Sequence, residues 1–370
     1  MFNAAFFVLL PEIKAGLNLS NTQIGTLSTF RAIISGFANI PAGFMGDQYP
    51  KHRAVILGGS IILVSVFAVA LGLSNGIWPA VVFSSLLSVA ITFWHPAAIS
   101  SLAKEFTSRR GFAIALHGTG GSIGETLGPI IAGSLIGVIG WRLVLQGSSV
   151  PGLFCGILIW LLLRTIPVQA SENTTVTQYI SSVTNLLRNR KLIFVLIFAA
   201  GFSGAQSTVL TFLPIYLDEA KGFQSVTIGL YLSLAQVGGI ISQPIMGYIS
   251  DRLGRKVVLV PSMIILGLSF LGIPVATDGL LFGLVVFVMG AFTFPLMALF
   301  LASAMDLVGT STQATTVSLV FGAAIVVSAF APALAGIIAD NINTEAAFLF
   351  ASALALSTAV FTLTTNWQSR

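Results

Sequence analysis

Apolar runs of about 20 residues, separated by short turns that hold almost all the charge, make up this chain from end to end. A run of that length crosses the roughly 30 Å hydrocarbon core of a bilayer as a helix, because in lipid the backbone must satisfy its own hydrogen bonds. Only 8% of the 370 residues are charged and 55% are hydrophobic. Soluble domains carry roughly 25% charged residues, so a water-soluble globule is excluded. The net charge of +5 does not point to a nucleic-acid partner, because the bases are confined to loops between apolar runs, where they set topology. One cysteine, Cys155, allows no intramolecular disulfide.

Helices are expected at approximately 22–45, 54–74, 76–103, 111–140, 143–165, 192–217, 225–249, 256–276, 279–308, 312–340 and 345–365. A remnant at Phe2 to Leu10 makes twelve. The remnant is too short to span a bilayer, whereas the matching run Leu192 to Leu217 is long enough. Subtracting the repeat offset of 203 from 192 gives −11, so the chain is expected to begin inside its first helix. Ile166 to Lys191 is polar and rich in Ser and Thr, and reads as a linker. The expected organisation is all-α: one six-helix bundle over 1–165, a linker over 166–191, and a second bundle over 192–370.

Two charged turns mark the same point in each half. One runs from Gly247 through Asp251, Arg252, Gly254 and Arg255 to Lys256; the other runs from Gly43 through Asp47 and Lys51 to Arg53. Asp251 minus Asp47 is 204, Gly229 minus Gly25 is 204, and Pro214 minus Pro11 is 203. A single offset relating several features indicates two repeated halves, and paired helical halves in a membrane point to alternating access. Loops alternate sides, so bases can be counted by face. Thirteen fall on the face of the two turns, the linker and the C-terminus, and three on the other. The thirteen mark the cytoplasm. The expected location is a bacterial cytoplasmic (inner) membrane.

Ionisable groups inside the apolar runs are costly and by default functional. Arg31 lies about nine residues into the second expected helix, and Glu125 near the middle of the fifth. Desolvation disfavours a charged carboxyl and a nearby cation favours it, so a Glu set between the two influences can load and release a proton near neutral pH. Glu125 is the candidate proton site, with Arg31 as its partner or as an anion anchor. A structural ion pair or a carboxyl bonded to backbone is the plainer reading of each. His95 and His117 lie toward the cytoplasmic side as candidate relay groups or simple packing residues. Gly124, Gly128 and Pro129 form a small-residue stripe with a proline, a hinge or a packing surface. Asp278, Asp306, Asp340 and Glu345 fall near helix ends and read as solvated termini. No metal-ligand spacing is present and no cofactor is expected, the proton gradient being the energy source.

These residues resemble the major facilitator superfamily. Gly247, Asp251, Arg252, Gly254, Arg255 and Lys256 match its loop signature, and the first copy keeps Gly43, Asp47 and Lys51 while placing Gln48 and Pro50 where a base and a glycine are usual. The resemblance implies a latch that holds the cytoplasmic side shut in one state, here Asp251 with Arg252 and Arg255, and Asp47 with Lys51 or Arg53. Gly124 to Gly133 resembles the antiporter motif of the family's fifth helix, and Phe93-Trp94-His95-Pro96 with Arg109-Arg110-Gly111 is similar to the fosmidomycin-resistance-type exporters. The implied function is proton-coupled export of a small organic solute by a monomer in the lipid bilayer. Uptake symport or facilitation of a small organic anion is the alternative. An intramembrane serine protease is a remote one: Gly201-Phe202-Ser203-Gly204 resembles a nucleophile motif, but no histidine follows His117.

Overall fold

The computed structural model describes residues 2–48, 52–105, 110–165, 184–308 and 313–367, and among these it contains only helices and their connections. In chain order the helices are α1 (Phe2–Gly16), α2 (Asn21–Gln48), α3 (Arg53–Gly72), α4 (Ile77–Glu105), α5 (Arg110–Leu163), α6 (Arg190–Glu219), α7 (Ser225–Leu253), α8 (Arg255–Val275), α9 (Leu280–Thr293), α10 (Leu296–Met305), α11 (Gln313–Asn341) and α12 (Ala346–Thr364). Among the described residues, nine helical stretches are long and apolar enough to cross a membrane, and the protein is an integral membrane protein. An unbroken helix of the 54 residues in α5 would be about 81 Å long, far more than one crossing needs. Gly140, at φ 74° and ψ 158°, breaks it where the sequence separates 111–140 from 143–165. Only glycine takes that φ without strain.

The chain forms two compact units. The first comprises Met1–Leu19 and Phe30–Asn173, the second Ser20–Thr29 and Thr174–Arg370. Residues 166–183 of the expected linker lie outside the described residues. In the first unit α3 packs on the later part of α5 through paired glycines. A Cβ on Gly58 would stand 2.7 Å from the Gly156 carbonyl oxygen, and one on Gly156 would stand 2.9 Å from that of Gly58. Small residues let helices in lipid approach to backbone contact. Arg142 closes the far end, its Nη1 donating to the carbonyls of Gly72 (3.0 Å) and Ser74 (2.6 Å).

The second unit packs α6 against α11 and α12, and α7 against α9. Asn189 caps α6, accepting from the N–H of Lys191 and of Leu192. Gly254, at φ 97°, ends α7 and starts α8. The sequence reads 279–308 as one helix, but the structure interrupts it at Phe294 and Pro295. Pro295 has no N–H to give the carbonyl four residues back, that of Ala291, and Ser242 of α7 donates to it instead at 2.5 Å. The same substitution recurs at Pro332 of α11. There the freed carbonyl of Ser328 accepts from the Ser207 hydroxyl of α6 at 3.0 Å.

A double-mutant cycle tests this pairing of proline and serine. Ser242→Ala is expected to cost about 1–3 kcal/mol by leaving a buried carbonyl unsatisfied, and Pro295→Ala to restore most of it by supplying the missing N–H. Thermal unfolding in detergent reads the four proteins. An equal loss with and without the proline would refute the account.

Candidate functional site

The first unit carries the candidate ionisable side chains for proton and solute on three of its helices, α2, α4 and α5. Arg31 lies ten residues, or about 15 Å, along α2 from Asn21. It is 6% exposed, and its guanidinium carbon sits 3.7 Å from the centre of the Phe6 ring of α1. A desolvated cation over an aromatic face gains about 2 kcal/mol, which offsets part of the cost of burying the charge. One turn further along α2, the Ser35 hydroxyl meets that of Thr92 on α4 at 2.8 Å.

His95 follows Thr92 by three residues, on the same side of α4. Its ring centre is 6.3 Å from that of His117 on α5, with the planes at 76°, and Trp94 stacks on the same histidine. A polar seam therefore runs through the unit from Arg31 by way of Ser35 and Thr92 to the two histidines. Glu125 stands eight residues beyond His117 on α5 and is exposed, Gly124 is half-buried, and Gly128 and Pro129 are buried. The helix passes through Pro129 with helical φ and ψ, so the break in α5 is at Gly140 and not at the proline. A buried cation and an imidazole pair along one seam can bind an anion and pass a proton, and Glu125 presents an exposed carboxyl on the helix that carries His117.

The charged turns are organised differently from the sequence expectation. Arg255 donates to Asp251 and, through Nε, to Asp306 at the end of α10 at 2.8 Å. Arg252 does not join this pair: its guanidinium lies 4.5 Å from the Tyr248 ring centre. Lys256 donates to the carbonyl of Thr365, at the C-terminal end of α12, at 2.9 Å. In the first unit Arg53, 7% exposed, pairs with Glu105 at the end of α4 at 3.1 Å. The side chain of Asp47 and all of Lys51 lie outside what is described.

Arg53–Glu105 and Arg255–Asp306 are the same device in the two halves. Subtracting, 255 minus 53 is 202 and 306 minus 105 is 201, close to the offset seen in the sequence. Applying that offset to Glu105 would have found Asp306, which the sequence reading left as a solvated terminus. Two more such acids are bonded. Asp278 pairs with Lys221 at 2.7 Å, a hydrogen bond that raises the lysine above its ordinary pKa. The two oxygens of Asp340 accept the N–H groups of Asn21 and Thr22, each at 2.8 Å. These are the first residues of α2, where a carboxylate caps free donors and meets the positive end of the helix.

Comparison with known proteins adds four matches. The sequence pattern described as Major Facilitator Superfamily matches residues 1–242 and 219–368. The multidrug resistance protein MdtG of Salmonella paratyphi C is 24% identical over 276 residues, 71% of this chain and 67% of that one. The cis,cis-muconate transport protein of Acinetobacter baylyi is 24% identical over 257 residues, 67% of this chain and 62% of that one. The chain thus spans about two thirds of the length of these curated relatives. Among solved structures, the nucleoside transporter NupG superposes with a TM-score of 0.79 at 14% identity, covering 97% of this chain and 94% of that one.

Proposed function

This chain belongs to the Major Facilitator Superfamily, and from that membership we propose that it is a secondary active transporter that exports a small organic solute in exchange for protons. The observation that carries this reading is the one-sided placement of charge. Arg31, His95, His117 and Glu125 all stand on the first unit, and the position 204 residues beyond Arg31 is Ala235. Arg31 supplies a fixed positive charge for an anionic or zwitterionic solute, Glu125 loads and releases the proton, and the histidine pair passes it toward the cytoplasmic end. The name of the multidrug resistance relative supports export, and that of the muconate relative supports a small organic anion as cargo. The thirteen-to-three distribution of bases supports a cytoplasmic position for both charged turns, the linker and the C-terminus, and the bacterial relatives support a bacterial cytoplasmic membrane.

The test is flux in proteoliposomes with an imposed pH gradient, using labelled cis,cis-muconate and a lipophilic drug as probes. Export by exchange moves solute against the direction of the protons. Solute travelling with the protons would turn the reading into uptake symport, and flux indifferent to the gradient would remove proton coupling.

A further inference from the structure

An apolar groove of about 350 Å³ runs between α7, α8 and α9 of the second unit. Ile241, Ile245 and Ile249 of α7, Val257 of α8, and Phe287 and Phe292 of α9 form its walls. The isoleucines and Val257 are each more than a third exposed. Its lining includes two serines. Ser242 spends its hydroxyl on the Ala291 carbonyl, and Ser262 is 2% exposed, so a polar solute finds nothing to bond along the walls.

The groove has a length and a charged end. From Gly238 to Ile249 is eleven residues, about 16 Å along α7, against the roughly 15 Å that one leaflet contributes to the hydrocarbon core. Below Ile249 the helix reaches its turn with α8. Arg252 follows Ile241 by eleven residues, three turns within about 20°, and so continues the stripe of side chains that lines the groove. Of the three bases here, Arg255 is held by two carboxylates and Lys256 by a carbonyl. Among the described residues Arg252 is paired with no acid; it is exposed and rests on Tyr248.

We infer that this groove binds an anionic phospholipid, with one acyl chain along the isoleucines and its phosphate on Arg252. An apolar channel one leaflet long that ends in a cation at headgroup level has the chemistry of such a lipid. A helix of a second copy would set an apolar face against that arginine. Naming the leaflet cytoplasmic rests on the sidedness proposed above. Lipid retention is measured with no proton gradient, so this inference and the transport reading can fail separately.

The experiment is native mass spectrometry of the full chain in detergent, equilibrated with an equal mixture of phosphatidylglycerol and phosphatidylcholine of the same acyl chains. The expected result is about fivefold preference for phosphatidylglycerol, the contribution of one arginine near an anionic surface. Arg252→Gln should abolish the preference, Arg252→Lys should keep it, and Ile245→Trp should lower retention of both lipids. Equal retention by the unmodified protein, an unchanged preference in Arg252→Gln, or full displacement by glycerol 3-phosphate would overturn the proposal. So would a dimer that disappears in Ile245→Trp, which would assign the groove to a second copy.

Discussion

Glutamine in place of Glu125 is expected to stop solute movement driven by a pH gradient, reducing it to the leak of protein-free liposomes, while exchange of labelled for unlabelled solute should continue. Glutamine keeps the shape of the side chain and can still bond, but it cannot release a proton. If the carboxyl is where proton and solute binding meet, its loss uncouples the two without closing the path. The arrangement around it gives the result its meaning. His117 lies eight residues, about 12 Å, away along α5 and meets His95 of α4, so neither histidine stands beside the lost carboxyl. Gradient-driven flux surviving in Glu125→Gln would move the proton role to His95 or His117, and His117→Gln would then be the decisive variant. Yield and melting temperature in detergent establish that the protein is intact in each case.

Gly290→Val is expected to yield no folded protein. A Cβ at Gly290 of α9 would overlap the carbonyl of Ala235 on α7, together with the carbonyl carbon and Cα of that residue. Every atom in the way is backbone, so no rotamer change relieves the overlap and α7 would have to move off α9. Overpacking typically costs 1–3 kcal/mol where side chains can yield; with backbone opposed the cost should exceed about 3 kcal/mol. Gly238, whose Cβ would stand 2.5 Å from the Phe287 carbonyl oxygen, holds the same two helices together and leaves α7 nowhere to shift. Gly247→Ala is the control. Nothing stands within 4 Å of a Cβ there, although this glycine opens the loop signature, and its melting temperature should be unchanged. A monodisperse Gly290→Val protein melting near the unmodified one would show that the two helices tolerate separation.

Charge, length and repeat made the helices and the paired turns legible from sequence, because lipid leaves the backbone few choices. Tertiary partners were another matter. That Ser242 would answer Pro295 requires knowing which helix lies alongside, and no periodicity within either run carries that information. Glu105 and Asp306 were within reach, since the offset that paired the turns also pairs these acids with their arginines. Arg31 was legible as a buried charge by its depth alone, but its resting place on Phe6 was not. Gly124, Gly128 and Pro129 stood out by composition, yet α5 runs through them unbroken; its break falls at Gly140, at the boundary the sequence draws between 111–140 and 143–165.

The grouping of Ser20–Thr29 with the second unit has a consequence for any attempt to take the molecule apart. A Cβ on Gly25 would overlap the Pro332 carbonyl, one on Gly336 would overlap that of Asn21, and Asp340 holds the first amides of α2. Ten residues encoded in the first half of the gene are therefore structural parts of the second. Severing the reading frame in the linker and producing the pieces in separate cells would leave the later fragment with a vacant slot along α11 and an idle carboxylate at 340. Only production of both fragments in one membrane would refill it.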